Sequence, residues 1–235
     1  MRLQLITIFI LSFGYSFGQV FSYPEVNTNG QRFADFIPNG WTALDSAKGD
    51  MNKDGKDDLA LVVQFRDSVL IAKVENDDLD TVFTQPRMLL LSFYNVISKR
   101  YELVERSNTF ILTHDQDNME EPFQDISISK GVLKIGFNIF MNSGGWGTFS
   151  NIYKFIYQDK EFRLIGAEYN YLNRGSGETV ESSYNFLKNK VKLSTGTISS
   201  DIMKTKWHNL KVNELKTLKT FSQPFTWKME KYFYL

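Results

Sequence analysis

The chain has 235 residues, a formal charge of zero and no cysteine, so disulfide staples and cysteine-ligated metals are excluded. A balanced charge gives no overall attraction to nucleic acid or to another polyanion. The length can bury a sizeable core, and 20 Phe and 11 Tyr favour half-buried strand surfaces.

In chain order, Arg2 precedes an apolar run from Leu3 to Phe13, interrupted by Gln4, Thr7 and Ser12. Ser16 and Gly18 then supply small residues in front of Gln19. This predicts a signal peptide over residues 1–18, too short to span a bilayer, with no cysteine behind it for lipid attachment. The mature chain is expected to be periplasmic or extracellular, without stable membrane insertion. Residues 19–40 contain Pro24, Gly30 and Pro38 and read as a polar leader.

A single β-rich domain is expected over 41–235, divisible into a loop-bearing part, 41–122, and an aromatic meander, 123–235. Strands are predicted around Trp41–Lys48, Leu59–Phe65, Val69–Val74, Met88–Tyr94 and Tyr101–Arg106. Leu59–Phe65 is so apolar that both its faces should be covered. Glu75 to Asp80 reads as an acidic turn, and His114 to Pro122 as a polar loop. Further strands follow at Ile126–Ser129, Val132–Phe140, Phe149–Tyr157, Glu161–Tyr169, Thr179–Leu187 and Lys190–Thr195. Turns at Lys130-Gly131, Gln158–Lys160 and Lys188-Asn189 join several of these as hairpins. From Lys188 to Lys219 eight lysines face only Asp201 and Glu214, a pattern expected of a solvated basic face. Residues 211–219 read as a brief helix or an edge segment, and Phe225–Phe233 as a last strand. No long stripe of 3.6-residue period occurs, so crossover-helix folds are disfavoured. The expected fold is all-β: an antiparallel meander in propeller-like or sandwich-like sheets with a short irregular C-terminal segment.

The chemistry is concentrated in Asp50-Met-Asn52-Lys-Asp54-Gly-Lys56-Asp-Asp58. Asp50, Asn52 and Asp54 stand at loop positions one, three and five, Lys56 offers its carbonyl at seven, and Asp58 stands at nine. Gly55 at six allows the sharp turn that gathers oxygens around a hard cation. Many oxygen ligands on a flexible segment favour Ca2+ over magnesium, in a structural role. Position twelve is Leu61 and the flanks read as strands, unlike a helical calcium switch. Gly49 to Val62 resembles the calcium loop of FG-GAP/VCBS-type repeats of integrin-like β-propellers. The resemblance implies side-chain oxygens from Asp50, Asn52, Asp54 and Asp58 and a carbonyl from Lys56, in a loop between two strands. It covers one copy, and His114 to Glu121 lacks the glycine and the spacing of a second. The whole chain more loosely resembles secreted bacterial proteins with one such loop and an aromatic C-terminal meander.

Three other groups complete the reading. Trp146, among Gly144, Gly145 and Gly147, with Tyr169 and Tyr171, is a candidate ligand surface for a protein or glycan partner. Glu168, Glu178 and Glu181 are spaced so that neighbouring strands could bring carboxylates together for paired acid–base work, on the alternative reading of a hydrolase of glycans or peptides. His114 and His208 read as loop and surface residues, since no nucleophile elbow or zinc motif accompanies them. The leading expectation is therefore an exported, calcium-stabilised, β-rich binding protein without a catalytic site and without nucleic acid as partner.

Overall fold

The computed structural model describes residues 21–75, 78–230 and 233–235, with side chains left aside for 72–80 and 230–233. The signal peptide expected at 1–18 lies outside the described residues. The chain is all-β: sixteen antiparallel strands, two short 3-10 turns and no α-helix among the described residues.

The first half supplies β1 (Asn29–Gly30), β2 (Trp41–Gly49), β3 (Asp58–Phe65), β4 (Val69–Glu75), β5 (Asp78–Thr84), β6 (Arg87–Asn95) and β7 (Arg100–Ser107). Five of these form a sheet in the order β1-β7-β6-β3-β2, while β4 and β5 pair as a separate hairpin. In the sheet centre, β3 and β6 are buried on both faces, as the apolar run at 59–65 requires. Side-chain alternation divides them between two cores. Ala60, Val62, Leu89 and Leu91 face the main core, and Leu59, Leu61, Val63, Met88 and Leu90 face a smaller one. The smaller core is closed by Val26, Phe36 and Trp41, with Phe21 and Tyr23 packed against it. The segment read as a polar leader is thus part of the domain. Its apolar residues are too far apart to show a period, yet Phe21, Tyr23, Val26, Phe36 and Ile37 find the uncovered face of the sheet.

The second half is a meander: β8 (Phe123–Ser129), β9 (Val132–Ile139), β10 (Gly147–Gln158), β11 (Glu161–Asn173), β12 (Glu178–Asn185), β13 (Lys190–Thr197) and β14 (Ser200–Asn209). They form one seven-stranded sheet in sequence order. Lys130 and Gly131 both take positive φ in the two-residue turn between β8 and β9, and Asp159 and Lys160 do so between β10 and β11. Such turns match the twist of the flanking strands. The inner face carries Phe137, Tyr153, Phe155, Phe162, Leu164, Ala167, Tyr184 and Val191 into the main core. Phe110, Leu218, Phe221 and Leu235 join them from outside the sheet. Fully burying each such large side chain contributes about 1.5–3 kcal/mol.

The sheets meet where β2 runs beside β8. The Ile126 N–H donates to Asp45 Oδ2 at 3.0 Å. A Cβ on Gly49 would fall 2.6 Å from Ile128 Cγ2, so only glycine allows this approach. Near the chain end, Lys216 to Leu218 pairs with the start of β11 through Leu164 N–H to Lys216 O at 2.7 Å and Leu218 N–H to Phe162 O at 3.0 Å. Of the two expectations for 211–219, the edge segment is the one formed. The chain finishes in a small hairpin, β15 (Lys228–Glu230) and β16 (Phe233–Tyr234).

Two strands differ from expectation. Much of the stretch read as an acidic turn belongs to the β4–β5 hairpin, in which Glu75 pairs with Asp78. The lysine-rich stretch includes β14, an edge strand exposed along almost its whole length, with Trp207 and Ile202 open to solvent. A strand exposed on both faces carries no apolar alternation, so its pairing is invisible until β13 is beside it.

Candidate functional site

The acidic loop joins β2 to β3. Asp50 Oδ1 accepts the Asp54 N–H at 3.1 Å and Oδ2 accepts the Gly55 N–H at 2.9 Å. Asn52 Oδ1 accepts the same Asp54 N–H at 2.9 Å, and Asp54 Oδ1 accepts the Lys56 N–H at 2.8 Å. The Asn52 amide also donates to Asp54 Oδ2 at 3.1 Å. These short-range bonds curl the loop inward, and Gly55 turns it at φ +84°. Nothing lies within 4 Å of a Cβ built on Gly55, so conformation alone demands glycine there.

Asp58 behaves differently from its neighbours. It is fully buried, and its carboxylate accepts three backbone N–H groups: Met51 at 2.8 Å and Asn52 at 3.2 Å on Oδ2, and Tyr94 at 3.0 Å on Oδ1. Burial pushes its carboxyl above the usual carboxylate range; the three donors oppose this, and the neighbouring Asp54 charge adds to it. Asp58 thereby ties the start of the loop to β6. On its other side the loop touches the β8–β9 turn: a Cβ on Gly131 would lie 3.1 Å from Lys53 Cε and 3.5 Å from the Asp50 carbonyl oxygen. The loop sits at the junction of the two sheets.

The donor set suits a hard cation. Asp50, Asn52 and Asp54 are side-chain oxygen donors on one curled segment, and Asp50 Oδ1 and Asn52 Oδ1 converge on a single N–H. Asp58, expected as a further ligand, instead spends both carboxylate oxygens on backbone N–H groups and holds the frame. Among the described residues no three His, Cys, Asp or Glu side chains gather as a metal cluster. A bound calcium ion would supply positive charge that offsets the repulsion among Asp50, Asp54 and Asp57.

The other expected groups are distributed as follows. Trp146 is 70% exposed, and its ring leans on Gly175, whose Cβ would lie 3.3 Å from it. Arg174 braces this loop: its Nη2 donates to the Met141 and Gly145 carbonyls at 2.7 Å each, and its guanidinium lies 4.3 Å over the Phe140 ring. A depression of about 390 Å³ opens between Asn142–Trp146 and Arg174. Tyr169 and Tyr171 are not part of its lining. They pair across the sheet with Asn151 and Phe149, and Tyr171 covers Gly147. Burial, with Tyr171 and Tyr184 nearby, pushes the Tyr169 phenol up to about 12.

Glu168 and Glu178 do not face each other. Glu168 sits opposite Ser183 and is ion-paired to Lys154 on the outer face. Glu178 lies five positions before Ser183, hence on the opposite face and about 16 Å away along the strand. It accepts the Ser176 hydroxyl at 3.1 Å. Glu181 shares the outer face with Glu168 and is exposed. Strand parity separates residues that looked close in sequence.

One site had no signal in the sequence. A cavity of about 750 Å³ opens between the β4–β5 hairpin, the segment after β7, the ends of β9 and β10, and the terminal segments. Ile71, Val82, Ile111, Met119, Met141 and Phe149 are among its walls. They come from segments spread over more than half the chain, so no local pattern could announce them. Behind it, Arg87 is buried and binds both carboxylate oxygens of Glu121 at 2.7 Å, the Leu112 carbonyl at 2.5 Å and Gln64 Oε1 at 2.8 Å. This fastens the 112–121 segment to β6.

Compared with protein-family models, curated proteins and solved structures, the chain gives no match.

Proposed function

We propose that the chain is an exported β-rich binding module whose fold is stabilised by a calcium ion at Asp50, Asn52, Asp54 and the Lys56 carbonyl, with Asp58 anchoring the loop. It acts periplasmically or extracellularly on a protein, glycan or small-molecule partner and performs no catalysis. The observation that carries this reading is the position of the loop. It is fastened to β6 through Asp58 and lies against the β8–β9 turn, so a cation that rigidifies it acts on the junction of both sheets. A metal that binds only the folded chain stabilises it by mass action, about 2.7 kcal/mol at a hundredfold excess over the dissociation constant.

Thermal melting in calcium and in chelator tests the proposal. Calcium should raise the melting temperature saturably, magnesium should do so less, and Asp50→Ala should abolish the shift while leaving the chelated protein close to wild type. A wild-type melting curve indifferent to calcium overturns the role of the ion.

A further inference from the structure

The cavity of about 750 Å³ has a composition that selects among ligands. Its walls are mostly aliphatic, thioether and aromatic, and most of these side chains are only half-buried. Water against such walls gains little, and each square ångström of apolar surface covered by a ligand returns about 25 cal/mol. The size falls within the range of sites that enclose a small organic molecule.

Charge narrows the choice. Among the described residues that line it there is no Lys, Arg or His, and Asp115 is the one carboxylate. An anionic head group would find no cation among these residues, and its desolvation costs several kcal/mol. Asp115 already has an interaction of its own, so it is not a free counter-charge for a cationic ligand. Polar contacts are nevertheless on offer. Thr113, Gln116 and Gln223 line the cavity, and among the described residues the two side-chain amides and the hydroxyl make no hydrogen bond within the chain. These groups can both donate and accept.

We infer that this cavity is a binding site for an uncharged, predominantly apolar molecule carrying a hydroxyl or amide group, a neutral lipid-like amphiphile. The apolar part packs between the β4–β5 hairpin and the ends of β9 and β10, and the polar group is met by Thr113, Gln116 or Gln223. The inference goes beyond the calcium reading and does not depend on it. The hairpin is also the wall most easily altered: Ile71 and Val82 belong to neither hydrophobic core, so filling the cavity from there leaves the packed interior untouched.

The test uses the full chain and the neutral dye N-phenylnaphthylamine, whose fluorescence rises in apolar sites. The dye should bind saturably, and dodecanol should displace it at a concentration at least tenfold lower than dodecanoate or a dodecyl quaternary ammonium. Val82→Trp and Met141→Trp fill the cavity from two sides, and each should weaken dye and dodecanol binding tenfold or more with unchanged circular dichroism and melting. Absence of saturable dye binding, displacement by dodecanoate as effective as by dodecanol, or wild-type affinity in a folded filling variant each overturns the inference. The alcohol-against-carboxylate comparison needs no variant, so a variant that fails to fold does not remove the test. Repeating the titration in chelator separates the two proposals. Dye binding without any calcium-dependent melting shift sinks the calcium role alone, and a calcium shift without dye binding sinks the cavity alone.

Discussion

Asp58→Ala removes a fully buried carboxylate and leaves three backbone donors, those of Met51, Asn52 and Tyr94, without their acceptor. A hydrogen bond to a charged group is worth about 1.5–3 kcal/mol, and an unsatisfied buried donor costs a similar amount. The Met51 bond is buried and should cost the full figure, whereas the Asn52 and Tyr94 bonds are partly accessible and should cost about half of it each. Against this, the variant recovers the desolvation of the carboxylate that raises its pKa. The net expectation is a loss of about 3 kcal/mol, a large share of the 5–15 kcal/mol typical of a domain. Urea unfolding in chelator is the appropriate assay, since it removes any metal contribution and reports the midpoint at constant slope. Asp50→Ala under the same conditions should lose less than about 1 kcal/mol, because the N–H groups it accepts are exposed and can turn to water. Amide exchange at Tyr94 should accelerate in Asp58→Ala and not in Asp50→Ala. A loss below about 1 kcal/mol for Asp58→Ala, or equal losses for the two variants, would refute the distinction between an anchoring and a ligating aspartate.

Three further outcomes are expected. Glu121→Ala leaves the buried Arg87 guanidinium short of two charge-assisted bonds and should cost about 2–4 kcal/mol in urea unfolding, with faster exchange over residues 112–121. Lys160→Gly should raise stability by about 0.5 kcal/mol in thermal melting, because relief of a left-handed lysine at φ +64° exceeds the entropy that glycine adds to the unfolded chain. The Tyr169 phenol is raised from 10.0 to about 12, so the folded state holds its proton more tightly than the unfolded state. That stabilisation is complete below pH 10 and is lost as pH rises toward 12, so melting temperature should fall across this window and fall less in Tyr169→Phe.

Local order was legible where the chain repeats a short rule. The alternation in Ile126–Ser129, Val132–Phe140 and Lys190–Thr195 announces strands, and Lys130-Gly131 announces a hairpin. The unbroken apolar run Leu59–Val63 announces burial on both faces, which β3 has. Illegible were the elements whose character comes from a neighbour. β14 is a strand because β13 pairs with it, and Val26 and Phe36 are core residues because one sheet face needs a cover. The acidic loop reads clearly as a chemical set, but the separate function of Asp58 depends on Tyr94, thirty-six positions away.

By itself the sequence determined the all-β class, the meander order of β8 to β13 and the set of oxygen-bearing side chains in the acidic loop, because each depends on residues within a turn or two of one another. Tertiary structure alone decided how the pieces meet. Strand parity put Glu168 and Glu178 on opposite faces, and the junction of two sheets placed the loop against the β8–β9 turn. The cavity is the extreme case. Its walls come from segments spread from Phe21 to Phe225, and proximity among such residues is a property of packing that no local pattern encodes.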